Sequence, residues 1–296
     1  MDTAIVAALG ATAGFAGGDV ITALLVRKVS AKAGFLLLSC LKLFLYVPFA
    51  VLLWREFQVI DGQTIAWILL LGALFATAYW GFNRALEVSK NPALAGVVAG
   101  CFPASASFVA IVFLGQRPSV ATIVLLCTVL VGVILIGLAD NWRASLRLDK
   151  GIALALIPLV CWGVFGALLH EPVQHLRTPH AWFVVQVMVA AFVAVSVGLL
   201  YHRQAPGILS QTRRKRAWWL VLGAGLAIGL SELLQAFALG SGQQIVIIEA
   251  VLGGYPAVYF LIAHHVFKEP LVLRQWLGIA LAAISIVLLS VLGASI

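Results

Sequence analysis

Charge is what this sequence has least of. Only 10% of its 296 residues are Asp, Glu, Lys or Arg, and only 11 are acids, where a soluble domain has about 25% charged residues. So few charges cannot coat a water-facing surface, which excludes a soluble enzyme. Cysteine is scarce too. Cys40, Cys101, Cys127 and Cys161 all lie inside apolar runs without C-x-x-C spacing. That excludes a disulfide framework and a thiolate metal centre, and leaves four small packing residues. The sequence also has no long polar stretch, which excludes a disordered chain. It has no G-x-S-x-G elbow and no P-loop, so neither a hydrolase nor an ATP-driven pump is supported.

What is present is hydrophobic length. Apolar residues make up 63% of the chain and the mean hydropathy is +1.09. Crossing about 30 Å of hydrocarbon takes about 20 largely apolar residues in a helix. Runs of that kind fall at 3–26, 33–54, 64–86, 92–114, 119–139, 151–170, 181–201, 217–239, 244–267 and 271–292. A backbone at membrane depth must satisfy its own hydrogen bonds, so these runs read as helices. The connections are too short to hold another domain. The expectation is an all-α membrane protein of ten transmembrane helices, with its function among those helices.

The net charge is +8 and the isoelectric point about 9.6. In a membrane protein such an excess marks cytoplasmic loops rather than nucleic-acid binding. With the N-terminus outside, cytoplasmic connections hold Arg27, Lys28, Lys32, Arg84, Lys90, Arg143, Arg147, Lys150, Arg203, the run Arg213 to Arg216, Lys268 and Arg274. Outer ones hold only Arg55, Arg117 and Arg177. The expected location is a multi-pass plasma membrane, the inner membrane of a bacterium, with both termini non-cytoplasmic. The basic cluster follows the first helix in the first half but the second helix in the second half. Two five-helix units of opposite orientation require that shift. The predicted units are 1–146 and 147–296.

Internal repetition agrees. Gly72-Ala73 matches Gly223-Ala224 and Ala85 matches Ala236 at an offset of 151, while Pro103 matches Pro256 and Gln116 matches Glu269 at 153. Inverted repeats are typical of secondary transporters, whose site lies between the halves near the midplane. On these residues the chain resembles the drug/metabolite transporter superfamily, specifically its ten-helix EamA-like proteins, whose half-repeat reads A, then P, then F-L-G-E. Here the first half has Ala85, Pro103 and Phe113-Leu114-Gly115-Gln116, and the second has Ala236, Pro256 and Val266-Phe267-Lys268-Glu269. Gln116 stands in place of the family's Glu. Phe15 stands where a Trp-Gly pair often begins the first helix, and the second half keeps that pair as Trp162-Gly163. The resemblance implies transport, with export the expected direction, but names no cargo. The expected activity is alternating-access transport of a small polar metabolite, with amino acids and small amines the favoured class. A flippase for a lipid-linked headgroup is the alternative. An intramembrane enzyme would need a nucleophile or metal set that the sequence lacks.

Ionisable residues at membrane depth cost several kcal/mol and are functional candidates by default. Asp19, Lys42, Glu232 and Glu249 fall inside spans. Asp19 shares a helix face with Thr12, Phe15 and Thr22, and Gly10, Gly14 and Gly18 form a G-x-x-x-G ladder on the opposite face. Glu249 ranks first as the coupling or cation-recognising carboxylate, with protons as the candidate coupling ion, and Asp19 ranks second. The plainer reading pairs Glu249 with Lys42. Trp80, Trp162, Tyr255 and Tyr259 are candidate walls for a cation, set against interfacial tryptophans such as Trp54, Trp218, Trp219 and Trp276 near span ends. Pro103 and Pro256 are expected mid-helix, shaping or gating the cavity. His170-Glu171-Pro172-Val173-Gln174-His175 imitates H-E-x-x-H with one residue too many, and Pro172 would break its helix. No catalytic residue, metal ligand or cofactor is expected. The partners are a small-molecule substrate and the lipid bilayer.

Overall fold

The structure is a computed structural model that describes residues 3–89, 92–137, 150–241, 245–268 and 272–293. The predicted repeat boundary at 146/147 and Glu269 of the repeat motif lie outside the described residues. Every regular element described is helical. α1 is Thr3–Lys28, α2 Ala31–Leu52 and α3 Gly62–Val88, with a short 3-10 turn Trp54–Val59 between the last two. α4 (Pro92–Ala99) and α5 (Phe102–Val112) follow, then α6 (Val120–Gly137). The second half begins with α7 (Lys150–Leu168), a short extension α8 (His170–Leu176), and α9 (Ala181–Tyr201). It ends with α10 (Ala205–Arg214), α11 (Trp218–Gly240), α12 (Ile245–Leu252), α13 (Tyr255–Phe267) and α14 (Leu273–Gly293). Among the described residues, eight helical stretches are long and apolar enough to cross a membrane, and the shorter apolar stretches Val120–Gly132 and Leu273–Leu288 bring the total to ten.

Two expected helices are broken. The apolar runs 92–114 and 244–267 each contain two helices, separated at Gly100-Cys101 and at Gly253-Gly254. Pro103 and Pro256 therefore sit in the first turn of α5 and α13, not mid-helix as expected. Proline lacks an N–H and clashes with the carbonyl four residues back, but a first turn has no such bond to lose. Glycine just before it takes the turn cheaply. At the first break Gly100 N–H bonds to Gly96 O, Cys101 N–H to Val98 O and Ala104 N–H to Cys101 O. The same three bonds recur 153 residues later, from Gly253 to Glu249, Gly254 to Val251 and Ala257 to Gly254. Tight turns thus keep the backbone satisfied where the helix stops, as membrane depth demands.

Packing is symmetric under exchange of halves. α1 runs along α11 and, correspondingly, α7 runs along α3, while α2 meets α9 and α6 meets α14. The glycine ladder makes the α1–α11 contact. A Cβ on Gly10 would meet Leu234, one on Gly14 would strike Ser231, and one on Gly18 would come within 2.6 Å of Ile228. With that face against α11, the 3.6-residue period turns Phe15 and Asp19 toward the centre of the bundle.

The two ends of the bundle differ. At one end, Lys215 donates to the carbonyl of Lys28 at 2.6 Å and Lys32 to Gln204 at 3.3 Å. This tethers amphipathic α10, which lies in the connection between the 181–201 and 217–239 spans. At the other end His175 bonds Asp61 at 2.9 Å and His180 bonds Glu56 at 2.6 Å. His175 first, then the Thr64 N–H and hydroxyl, hold the Asp61 carboxyl below the usual carboxylate range. Because that carboxyl is depressed in the fold, its stabilising contribution is present at neutral pH and fades as the solution is acidified. His170 contacts Leu239 O instead, so the two histidines of the imitation zinc motif have different partners.

Gly18→Leu is expected to overpack the α1–α11 seam and cost about 1–3 kcal/mol. It should lower the thermal midpoint of the detergent-solubilised protein, while Gly17→Leu, where a Cβ meets nothing within 4 Å, should leave it nearly unchanged.

Candidate functional site

Six helical segments converge on one narrow central cavity of about 30 Å³. α1 supplies Phe15 and Asp19, and α3 supplies Phe75 and Tyr79, one helical turn apart. α5 gives Phe102, α7 gives Trp162 and Phe165, α11 gives Ile228, Glu232 and Gln235, and α13 gives Tyr255. The sites of Phe102 and Tyr255 follow from the two helix breaks. Each stands at the first position of a new helix, so the turn before it aims its ring inward. Trp162 is the hub of the aromatic wall, with ring centroids 5.8 Å from Tyr79, 5.1 Å from Phe82 and 5.9 Å from Phe102. Gly163 leaves room for this crossing, since a Cβ there would approach the Phe102 carbonyl to 2.8 Å.

The charges are arranged around that wall. Glu232 and Lys42 form an ion pair at 2.5 Å, with side chains 2% and 3% exposed. Glu232 also accepts from Tyr46 at 3.1 Å and Gln186 at 3.2 Å. The Lys42 ammonium lies 4.0 Å from the Tyr79 ring centroid and 4.9 Å from that of Phe75, so both aromatic faces share its charge. Asp19 accepts a 2.6 Å hydrogen bond from the Tyr255 hydroxyl. With Lys42 committed to Glu232, the cavity formally keeps one carboxylate that no cation neutralises. Two polar groups on the wall, the Trp162 Nε1–H and the Tyr79 hydroxyl, have no hydrogen-bond partner among the described residues.

The structure thus brings Asp19, Trp162, Glu232 and Tyr255 together around the cavity. Lys42 stands behind the aromatic wall, paired with Glu232 rather than with Glu249. Glu249 lies off the cavity, fully buried beside Gly166. Tyr259 is one turn beyond Tyr255 and stacks on it at 5.6 Å, while its hydroxyl donates to Pro92 O. Pro256 follows Tyr255 and sets the start of α13. Pro103 lines a separate small hollow with Gly100, Leu126 and Gly253. Trp80 is the correction among the aromatics. It is 42% exposed and borders an outer hollow with Phe35 and Ser196, because one residue along a helix is about 100° and Tyr79 holds the inward position.

The expected cavity between the first, fourth, sixth and ninth spans also takes walls from the third and eighth. Phe75, Tyr79, Phe102 and Phe165 were not singled out, since an aromatic in a continuously apolar run has no signature of its own. Gln186 was within reach of the sequence: an amide inside the 181–201 span is an intramembrane polar group that needs a partner.

Residues 2–138 match the EamA-like transporter family. Among curated proteins none matches the chain. A solved crystal structure aligns with 98% of this chain and 98% of its own length, at a TM-score of 0.70 and 16% identity. That likeness is one of fold, and it runs through both halves.

Removing one partner from a buried ion pair costs about 3–5 kcal/mol, whereas replacing both with apolar residues is often neutral. Lys42→Met alone is therefore expected to lower the thermal midpoint sharply, and the double variant Lys42→Met, Glu232→Leu to recover most of the loss. A double variant no better than the single one would show that the pair contributes nothing to folding.

Proposed function

We propose that the chain is a membrane transporter of small molecules, as the match of residues 2–138 to the EamA-like transporter family supports, and that it carries an amine-bearing metabolite, an amino acid in preference to a simple amine, by alternating access. The observation that carries this reading is the uncompensated Asp19 carboxylate facing an aromatic wall. A substrate ammonium pairs with Asp19 and lies against the rings. The unpartnered Trp162 N–H and Tyr79 O–H are donors that a substrate carboxylate satisfies, which favours an amino acid over an amine. The apolar remainder of the lining suits an apolar or aromatic side chain. Outward movement across the plasma membrane is part of the proposal and draws its support from the family resemblance.

Alternating access needs two halves that rock around a fixed site. The symmetric helix pairing and the repeated breaks support reading 1–146 and 147–296 as inverted repeats, with the breaks before Phe102 and Tyr255 as the places where each half bends. A proton exchanging with the substrate cation is the proposed coupling ion. The loop charges support an orientation with both termini outside the cytoplasm.

Phenylalanine and phenethylamine differ only by the carboxylate, so they separate the two cargo classes. In liposome counterflow phenylalanine is expected to exchange and to outcompete phenethylamine. Asp19→Asn should abolish exchange of both. Trp162→Phe should weaken phenylalanine about ten-fold while hardly touching the amine, the value of one hydrogen bond to a charged group. Lipid translocation without exchange of either compound would overturn the reading in favour of a flippase.

Orientation has its own check. A cytoplasm-only fluorescent reporter fused to the C-terminus should stay dark, and a periplasm-active enzyme fused there should work. The opposite result reverses the topology.

A further inference from the structure

Glu249 is the most isolated charge-bearing group among the described residues. Its exposure is 0%, and neither carboxyl oxygen has a hydrogen-bond partner. It lies on α12 one turn before the helix break, and its backbone carbonyl accepts the Gly253 N–H at that break. Its carboxyl fills the place a side chain would take at Gly166 of α7, where a Cβ would stand 2.6 Å from Oε1. Among the elements packed on α12, α1 carries Asp19 and, at its far end, Arg27 and Lys28. α11 carries Glu232, α14 carries Arg274, and α5 and α6 bring no acid or base besides Cys127. α7 carries Lys150 at its first residue and Cys161. None of these bonds Glu249, since Asp19 is engaged by Tyr255 and Glu232 by Lys42. An unpaired carboxylate at that depth costs several kcal/mol, so this packing accommodates only the neutral acid.

We infer that Glu249 is a proton-binding site separate from the substrate cavity, loaded while α12 lies against Gly166 and emptied when the α12–α13 break moves it to water. The release step is simple and balanced: the carboxyl O–H breaks, water takes the proton, and the carboxylate stays on α12. Return to the packed state requires a proton from the side then open. Because Asp19 holds the substrate ammonium and Glu249 the proton, the two ligands do not compete for one carboxyl. The motion in this proposal rests on the transport reading, but the proton site in the packed state does not.

The test uses the full chain. By infrared difference spectroscopy, wild-type protein is expected to show the carbonyl stretch of a buried neutral carboxylic acid, and Glu249→Gln to lose that band. In liposomes, Glu249→Gln is expected to keep phenylalanine counterflow and to lose accumulation driven by a pH gradient. Glu249→Asp, which keeps a carboxyl, should retain both the band and the driven uptake, and it serves if the glutamine variant does not fold. An acid band unchanged in Glu249→Gln overturns the proton site, as does driven accumulation equal to wild type. Failure of wild type to exchange phenylalanine sinks the transport reading instead, and the infrared band then still decides the proton site.

Discussion

The ion pair between Lys42 and Glu232 determines what the rest of the cavity offers. Both groups lie where water does not reach, and neither is affordable there alone. Paired, and with Tyr46 and Gln186 satisfying the remaining lone pairs, they form a neutral unit that fastens α2, α9 and α11 together. The consequence for Asp19 is electrostatic. Had Lys42 turned toward α1, the cavity would hold an internally neutral Asp19 and an isolated Glu232. As built, the cation is committed on one side of the aromatic wall and a carboxylate is left facing the other. Tyr79 and Phe75 separate the two and take part of the lysine's field on their faces.

The second constraint is close backbone approach, which glycine permits and membrane helices exploit. Gly14 and Gly18 bring α1 onto α11. Gly96 and Gly100 receive the rings of Tyr259 and Tyr255, and Gly163 and Gly166 receive the side chains of Ser105 and Glu249. Each contact seats a side chain against bare backbone of a helix from elsewhere in the bundle, so the geometry of the candidate site depends on residues that carry no chemistry themselves. The helix breaks belong to the same economy of space. Ending α4 and α12 early lets Phe102 and Tyr255 enter the bundle at an angle that a continuous helix would not give them.

Much of this was legible from residue order. Span number and the glycine ladder with its polar opposite face on α1 follow from hydropathy length and 3.6-residue spacing, as does the candidacy of Asp19 and Trp162. The eighth-span Glu232, however, joins the cavity unforeseen, and Glu249, ranked first, lies off it. The helix breaks were harder to see, because 92–114 and 244–267 are apolar throughout and the interruption lies in Gly-Pro chemistry rather than in polarity. α10 was hidden for the opposite reason: it is polar and short, and it takes its order from tethers such as Lys215 to Lys28. Partner choice among buried charges was out of reach. Lys42 had three acids to choose from, and the α2–α11 crossing, with Gly229 letting Tyr46 and Lys42 close in, selects Glu232. Trp80 shows the limit of reasoning by residue type, since its neighbour Tyr79 took the inward position on the same turn.

Tyr255 ties the break to the cavity. It is the first residue of α13, directly after the Gly253-Gly254 turn, and its hydroxyl is the group that holds Asp19. On the other side of that turn the last stretch of α12 carries Glu249 against Gly166. A bend at this one turn therefore acts in two directions. In the proposed cycle it lengthens or shortens the Tyr255–Asp19 bond at the carboxylate that receives the substrate ammonium, and it lifts or seats Glu249 in its dry niche. Under the proposed function, a substrate ammonium that draws Asp19 away from Tyr255 weakens the contact that keeps α13 in place. The energy of binding is then felt at the break through a single tyrosine, without a long relay of intervening side chains.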